Sequence, residues 1–402
     1  MEARSAELQL KEGMFATLIL LTLALPATFC CVYLGLLTLC SWRLPAAPRS
    51  LRQLRFDVIV PAHNEQEGIA RTVSSLLAMD WPRDRFRVLV VADNCSDETA
   101  AVARATGSAV LERNDAMRRG KGYALAHAFD SSLQDGFASA VVVVDADSEV
   151  SGNLLEAFAT RIERGAKAIQ AHYGIRNPQA SWRTQLITIA MGAFHVVRSR
   201  ARERLALSCG IRGNGWCVTH ALLREVSYRY YSLAEDIEFG LALGIAGHRV
   251  EYAGEANANA DMASKEKAAR TQRQRWGKGR FQLFLTRTAP LLWVAIRRAS
   301  PVCLDLALDL IVPPLSYLVL NIVMFGLMAT LLALLGTAPM FWAWWALGCG
   351  LVLMLHVLRG WQVSGIGMRG LAALMHVPGF ILWRLRLLLR SKSGEWVRTE
   401  RE

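Results

Sequence analysis

Two carboxylates stand one residue apart at the end of an apolar run, where Val141-Val142-Val143-Val144 leads straight into Asp145-Ala146-Asp147. Four β-branched residues are stiff at χ1 and suit a strand. A strand without polar alternation is buried on both faces, as in a parallel sheet covered by helices. In open α/β sheets ligands bind at the carboxyl ends of the strands, and that is where these acids fall. If the chain stays extended, Asp145 and Asp147 lie on one side. Paired carboxylates repel unless a cation sits between them, and a hard divalent ion that also holds phosphate oxygens is the natural candidate. The competing reading is that both acids only cap the next helix.

Other strand ends are equally polar. Pro61-Ala62-His63-Asn64-Glu65 follows one apolar run, and Ala92-Asp93-Asn94-Cys95-Ser96-Asp97 follows the next. Ser96 and Asp97 open a helix and read as caps, whereas Asp93 comes too early to cap and is the better ligand contact. In Arg118-Arg119-Gly120-Lys121-Gly122, glycine on both sides of Lys121 lets backbone approach an anion at a helix N-terminus. The string is not a Walker A sequence, and a solvated turn fits it as well. Gly213, Asn214, Gly215 and Trp216 suit a loop along a substrate, with Trp216 as a stacking platform for a sugar ring. Glu235-Asp236 either does chemistry or complements a helix dipole. Gln272-Arg273-Gln274-Arg275-Trp276, taken alone, is a basic membrane-surface helix.

These residues need a scaffold, and the pattern supplies one. Strand-like runs at Phe56–Val60, Phe86–Ala92, Ala109–Glu112, Val141–Val144 and Ala166–Ala171 alternate with helical patterns over about 64–79, 97–105, 122–133 and 154–163. Asn64 with Glu67 three residues on marks a helix start. The alternation predicts βαβ units and a doubly wound α/β domain with a parallel sheet over residues 55–260. A broad helical pattern over Ser181–Leu207 fits either a membrane-facing helix or a surface helix of that domain.

The ends differ in character. Residues 14–39 are almost wholly apolar, which predicts an anchor within residues 1–42. Arg43, Arg49, Arg52 and Arg55 follow it and place the next domain in the cytosol. Residues 261–312 read as basic amphipathic and interfacial helices, including a lead over Pro301–Pro314. Two spans are expected within 313–360, at Leu315–Leu335 and Phe341–Leu358. Residues 361–402 then hold an in-plane helix over Leu371–Leu389 and a cytosolic tail. Lys+Arg total 46 against Asp+Glu 34, a net charge of +12, and mean hydropathy is +0.24. The basic residues cluster beside apolar segments and no nucleic-acid-binding motif is present, so the membrane is the expected partner. The eight cysteines show no zinc or redox spacing. An oxidoreductase is disfavoured because the first strand–helix turn has no Gly-X-Gly-X-X-Gly. A decayed scaffold is disfavoured because every acid that the chemistry would need is in place.

The order of Asp93, Asp145-X-Asp147, Glu235-Asp236 and Gln272-X-X-Arg275-Trp276 resembles the membrane-anchored, processive-type branch of the family 2 glycosyltransferases. Cellulose, hyaluronan and poly-N-acetylglucosamine synthases belong to that branch. The resemblance covers about residues 56–285. It implies a GT-A fold, a nucleotide-diphosphate sugar donor (UDP by family likeness) and an inverting transfer. By the same likeness Pro61, Ala62, Glu65, Asp93 and Lys121 line the nucleotide pocket. Asp145 and Asp147 hold the diphosphate and a Mg²⁺ or Mn²⁺ ion, and Asp236 is the general base. Gln272, Arg275 and Trp276 bind the diphosphate and the acceptor end. Gly213, Asn214, Trp216 and Glu235 are further expected acceptor contacts, although the Gly213–Trp216 loop does not copy the cellulose synthase string. The expected acceptor is a lipid-linked saccharide in bacterial exopolysaccharide or envelope glycan synthesis, at the inner membrane and alongside other polysaccharide-assembly proteins. Direct transfer to a hopanoid- or ceramide-like lipid, and homopolymer synthesis, are the alternatives. Ala234 stands before Glu235 where many relatives carry Thr.

Overall fold

The structure is a computed structural model that describes residues 2–262 and 266–382, with side chains over 11–262 and 272–382. The tail from Lys392, and residues 383–389 of the expected in-plane helix, lie outside the described residues. Helix α1 (Glu2–Leu39) leads into β1 (Phe56–Ala62), α2 (Ile69–Leu77), β2 (Phe86–Asp93), α3 (Thr99–Ala105) and β3 (Ala109–Arg113). Next come α4 (Lys121–Asp135), β4 (Ala140–Val143), β5 (Ser148–Val150), α5 (Leu154–Ile162) and β6 (Ala168–Ile175). Helix α6 (Trp182–Met191) runs through a π-helical turn at Gly192–Val197 into α7 (Arg198–Arg204). Then follow β7 (Trp216–Thr219), α8 (His220–Glu225), α9 (Glu235–Ile245) and β8 (Glu251–Ala260). The remaining helices are α10 (Glu266–Arg297), α11 (Pro301–Ile311), α12 (Leu315–Leu334), α13 (Phe341–Ser364) and α14 (Met368–Ala373).

The chain forms two compact units. One holds residues up to Ser41, Gln185–Ala201 and the described chain from Val312, and the other holds Trp42–Thr184 and Arg202–Ile311. The second unit is built on an eight-stranded sheet in the order β3-β2-β1-β4-β7-β6-β8-β5. The half β3-β2-β1-β4 is parallel, in the arrangement that the β-branched runs predict. The other half is mixed: β7 runs antiparallel to β4 and β6, and β5 antiparallel to β8. An all-parallel sheet is therefore corrected. Three strands are additional: β5 and β7 are only three and four residues long, and Glu251–Ala260 has an Asn and Ala content that carries little strand signal. Both faces are covered. Val58, Val60, Val142 and Val144 join one core, while Ile59, Val141 and Val143 join the other. Helix α2 starts only at Ile69, after the Gly68 cap. Asn64 does not cap it, because its backbone has φ 55° and its Oδ1 accepts the Ser96 amide at 2.8 Å.

Helix α11 belongs to the sheet unit. Asp305 and Asp309 are buried there, with Arg202 Nε 2.7 Å from Asp305 Oδ2 and Arg202 Nη2 2.8 Å from Asp309 Oδ1. These pairs explain two acids in an otherwise apolar lead.

In the other unit, Lys11–Leu39, Leu315–Leu334 and Phe341–Ser364 are long and apolar enough to cross a ~30 Å hydrocarbon core. They pack through small and polar residues, as helices do in a bilayer. His356 Nδ1 meets Thr38 Oγ1 at 2.7 Å, and Trp345 Nε1 donates to Thr28 Oγ1 at 2.7 Å. Of the two readings of Ser181–Leu207, the structure groups residues 185–201 with these helices. A Cβ on Gly192 would stand 2.4 Å from the Gly360 carbonyl, so the backbones meet only because both residues are glycine. The apolar helix Met368–Leu382 falls short of a span.

Candidate active site

The turns after β1 and β2 brace each other. Glu65 N donates to Thr99 Oγ1 at 2.7 Å, and His63 Nδ1 lies 2.7 Å from the Asp93 carbonyl. Asn94 has φ 52°, a left-handed geometry that Asn tolerates better than most residues. Asp93 is nearly buried, and its Oδ1 takes Arg113 Nη1 at 2.6 Å and Asn94 Nδ2 at 3.1 Å. Arg113 was not a candidate from sequence. A lone cation on the carboxyl end of β3, beside two polar turns, was the available signal. Pro61 and Ala62 are still strand, in register with Val91 and Ala92, and Ala62 is buried.

Lys121 opens α4 after Gly120, which has φ 122°. Its Nζ lies 2.5 Å from Asp145 Oδ1 and donates to the Gly213 carbonyl at 2.7 Å. Burial pushes the Lys121 pKa down, but Asp145, Glu235 and Asp236 outweigh it and the net shift is upward. The ammonium is thus held charged. Glu235 and Asp236 open α9, where the dipole favours acids. Glu235 is 8% exposed, and burial followed by the Asp236 charge pushes its carboxyl up to about 7 against the pull of Lys121. Burial also raises Asp236, again opposed by Lys121. Gly213, at φ 87°, sits directly against Asp236, since a Cβ there would stand 3.1 Å from Oδ2.

Burial runs against an acceptor contact at the next two candidates. Asn214 is fully buried. Its Oδ1 accepts the Asp145 amide at 3.0 Å and its Nδ2 donates to Ser148 Oγ at 2.8 Å, so it holds the two acids' turn in place. Trp216 is 0% exposed in β7, edge-on to Phe129 at 5.9 Å. It is a core residue and offers no face to a sugar. Glycine and aromatic composition cannot distinguish a substrate loop from a tight turn into a buried strand.

Tyr173 of β6 was also missed. Burial, then the charges of Asp145, Asp147 and Asp236, push its hydroxyl well above the usual range, while Arg275 pulls the other way. One phenol therefore feels acids from β4–β5 and α9 and the cation of α10. Helix α10 reaches this place through Gly279, whose Cβ position is 3.1 Å from Ala234 Cβ at the start of α9. Arg275 lies one helical turn earlier on that face. Trp276 is 40% exposed and Gln272 half-buried. Among the described residues no hydrogen bond joins either to the carboxylates. Tyr123 and Tyr231 stack at 4.0 Å and pin the chain before Glu235 to the start of α4.

Among the described residues no three of His, Cys, Asp or Glu converge closely enough to hold a metal. A cation on Asp145 and Asp147 would have to complete its shell with outside oxygens. That fits a hard divalent ion, which readily takes diphosphate and water oxygens.

Asp93 with Arg113, Lys121 with Asp145, and the Glu235–Asp236 pair thus gather where the strands of the parallel half end. Residues 54–279 match the family described as Glycosyltransferase like family 2, and the chain belongs to that family, with a GT-A fold. It is similar to the probable glycosyltransferase YdaM of Bacillus subtilis (strain 168), 23% identical over 246 residues, 59% of this chain and 58% of that one. It is similar to the beta-monoglucosyldiacylglycerol synthase of Synechocystis sp., 25% identical over 235 residues, 57% and 48% of the two chains. It also matches the 4,4'-diaponeurosporenoate glycosyltransferase of Staphylococcus aureus, 27% identical over 136 residues, 33% of this chain and 35% of that one. The chain thus spans about half the length, or less, of these relatives. The mannosyltransferase PcManGT of Pyrobaculum calidifontis, solved with GDP-Man and Mn²⁺, shares the fold with a TM-score of 0.56. The two are 18% identical, over 91% of this chain and 99% of that one.

Proposed function

We propose that the protein transfers a sugar, with inversion, from a nucleotide-diphosphate sugar to a lipid or lipid-linked saccharide in the membrane. The observation that carries this reading is the Glu235–Asp236 pair, raised in pKa and set beside the Lys121–Asp145 ion pair at one sheet edge. Breaking the anomeric bond puts negative charge on a diphosphate. Lys121, held charged, and Arg275 stabilise that charge as it develops. Asp236 accepts the proton of the acceptor hydroxyl, and its raised pKa makes it a better base than an ordinary carboxylate. Asp93, fixed by Arg113, meets the donor's base. Asp145 and Asp147 would hold Mg²⁺ or Mn²⁺, which when bound supplies countercharge for the leaving group. The Mn²⁺ and GDP-Man of the mannosyltransferase structure support this assignment.

The lipid acceptor is supported by two relatives, one named for a monoglucosyldiacylglycerol and one for diaponeurosporenoate, and by the three helices long enough to span. The arginines that follow α1 favour the bacterial inner membrane with the sheet unit in the cytosol. UDP is favoured as the donor nucleotide by the likeness to the cellulose synthase branch. Homopolymer synthesis is the less supported reading, because a polymer channel calls for more spans than the three found among the described residues. The test is the release of nucleoside diphosphate from a panel of labelled nucleotide sugars by membranes holding the chain. Release dependent on Asp236 is expected. No release from any donor would overturn the reading.

A further inference from the structure

Gln170 is the polar residue in the buried run of β6. It lies between Ile169 and Ala171, and its side chain is 1% exposed. A buried amide is costly unless its donors and acceptor are met. Here they are met across the strand. Oε1 accepts the Arg212 amide at 2.8 Å. Nε2 donates to the Asn214 carbonyl at 2.7 Å, the Ala171 carbonyl at 2.9 Å and the Gly215 carbonyl at 3.2 Å. One side chain thus closes both ends of the Arg212–Gly215 turn. That turn touches three groups of the proposed chemistry. Its Gly213 carbonyl receives Lys121 Nζ, its Gly213 Cα faces Asp236, and its Asn214 Oδ1 holds the Asp145 amide. A second brace comes from α11, where Asp309 Oδ2 lies 3.6 Å from Arg212 Nη1 and both residues are buried.

We propose that Gln170 is a positioning residue for sugar transfer. Its amide clamps the Arg212–Gly215 turn so that the Gly213 carbonyl aims Lys121 at Asp145 and the turn closes on Asp236. Asp309 braces the same turn through Arg212. The inference rests on the transferase reading above. Gln170 touches no reacting atom, so its loss should act on kcat through geometry. Misplacement of about 1 Å costs on the order of a hundredfold in rate.

The test compares Gln170→Glu and Gln170→Leu with wild type as full chains in detergent. Gln170→Glu keeps the shape and the acceptor but loses the donors when ionised. Its kcat should fall about tenfold to a hundredfold, and the donor Kd should rise by a smaller factor than kcat falls, because Asp93 and Arg113 are untouched while Lys121 is displaced. A buried carboxyl titrates high, so lowering pH from about 8 to about 6 returns a donor, and the ratio of variant to wild-type kcat should rise. Gln170→Leu should show the loss without that recovery. In both variants amide exchange across residues 210–217 should quicken, while β1, β2 and β4 keep their protection. Wild-type exchange at 210–217 in both variants, or loosened exchange with wild-type kcat, would overturn the clamp. A wild-type chain that turns over no donor would overturn the transferase reading, and exchange would still decide the clamp.

Discussion

At the level of single residues, Glu235 and Asp236 are two buried acids side by side. Burial raises both carboxyls, the Asp236 charge adds to the rise at Glu235, and Lys121 opposes both shifts. Asp236→Asn should lower kcat by about 10²- to 10⁴-fold and leave donor binding within a few-fold, which a turnover assay paired with titration calorimetry would check. Residual transfer close to wild type would sink the base assignment. Glu235 also has a thermodynamic signature. Its folded pKa of about 7 lies above the usual 4.5, so between those values the native state binds more protons than the unfolded chain. Stability is therefore lost as pH rises through that window, by roughly 3 kcal/mol for a shift of this size. Glu235→Gln should be more stable than wild type above pH 7, with the difference fading towards pH 4. Parallel thermal unfolding curves across that range would count against the assignment.

The same logic, with opposite sign, applies where elements meet at the far end of the sheet. Asp57 of β1, Ser132 of α4 and His220 of α8 form a buried chain. Ser132 Oγ is 2.5 Å from Asp57 Oδ2 and 3.0 Å from His220 Nε2. Burial lowers the His220 pKa below 6.5, with Asp57 opposing. The unfolded chain then binds the extra proton first, so stability is lost as pH falls below about 6.5. His220→Gln should flatten that acid limb in melts at a series of pH values. An unchanged limb would remove His220 as its source. This scale also shows what the sequence could carry. The run Val141–Val144 announced a strand buried on both sides, and its valines do divide between the cores on the two faces of the sheet. Strand β8 was invisible because asparagine and alanine carry little strand signal, and β7 because it is only four residues long and follows directly on a glycine-rich turn. Burial at Trp216 and Asn214 was not legible either, since side-chain chemistry shows what a residue can do and burial decides whether it faces outward. Gln170 was not singled out, because the sequence does not show which groups a buried amide meets.

For the molecule as a whole, a family 2 glycosyltransferase unit stands in one chain with three helices, among the described residues, that are long and apolar enough to cross a membrane. EDTA should stop turnover, and Mg²⁺ or Mn²⁺ should restore it if Asp145 and Asp147 hold a cation. Metal-independent turnover would take them out of that role. The central claim is that this chain moves a sugar from a nucleotide diphosphate to a membrane lipid. The most direct measurement incubates purified wild type and Asp236→Asn with labelled nucleotide sugars and total membrane lipids, then identifies products by mass. The account predicts one labelled glycolipid, heavier than its parent lipid by one sugar residue, from wild type and not from the variant. A chain that glycosylates no lipid with any donor, or a variant that makes the product as fast as wild type, would contradict it.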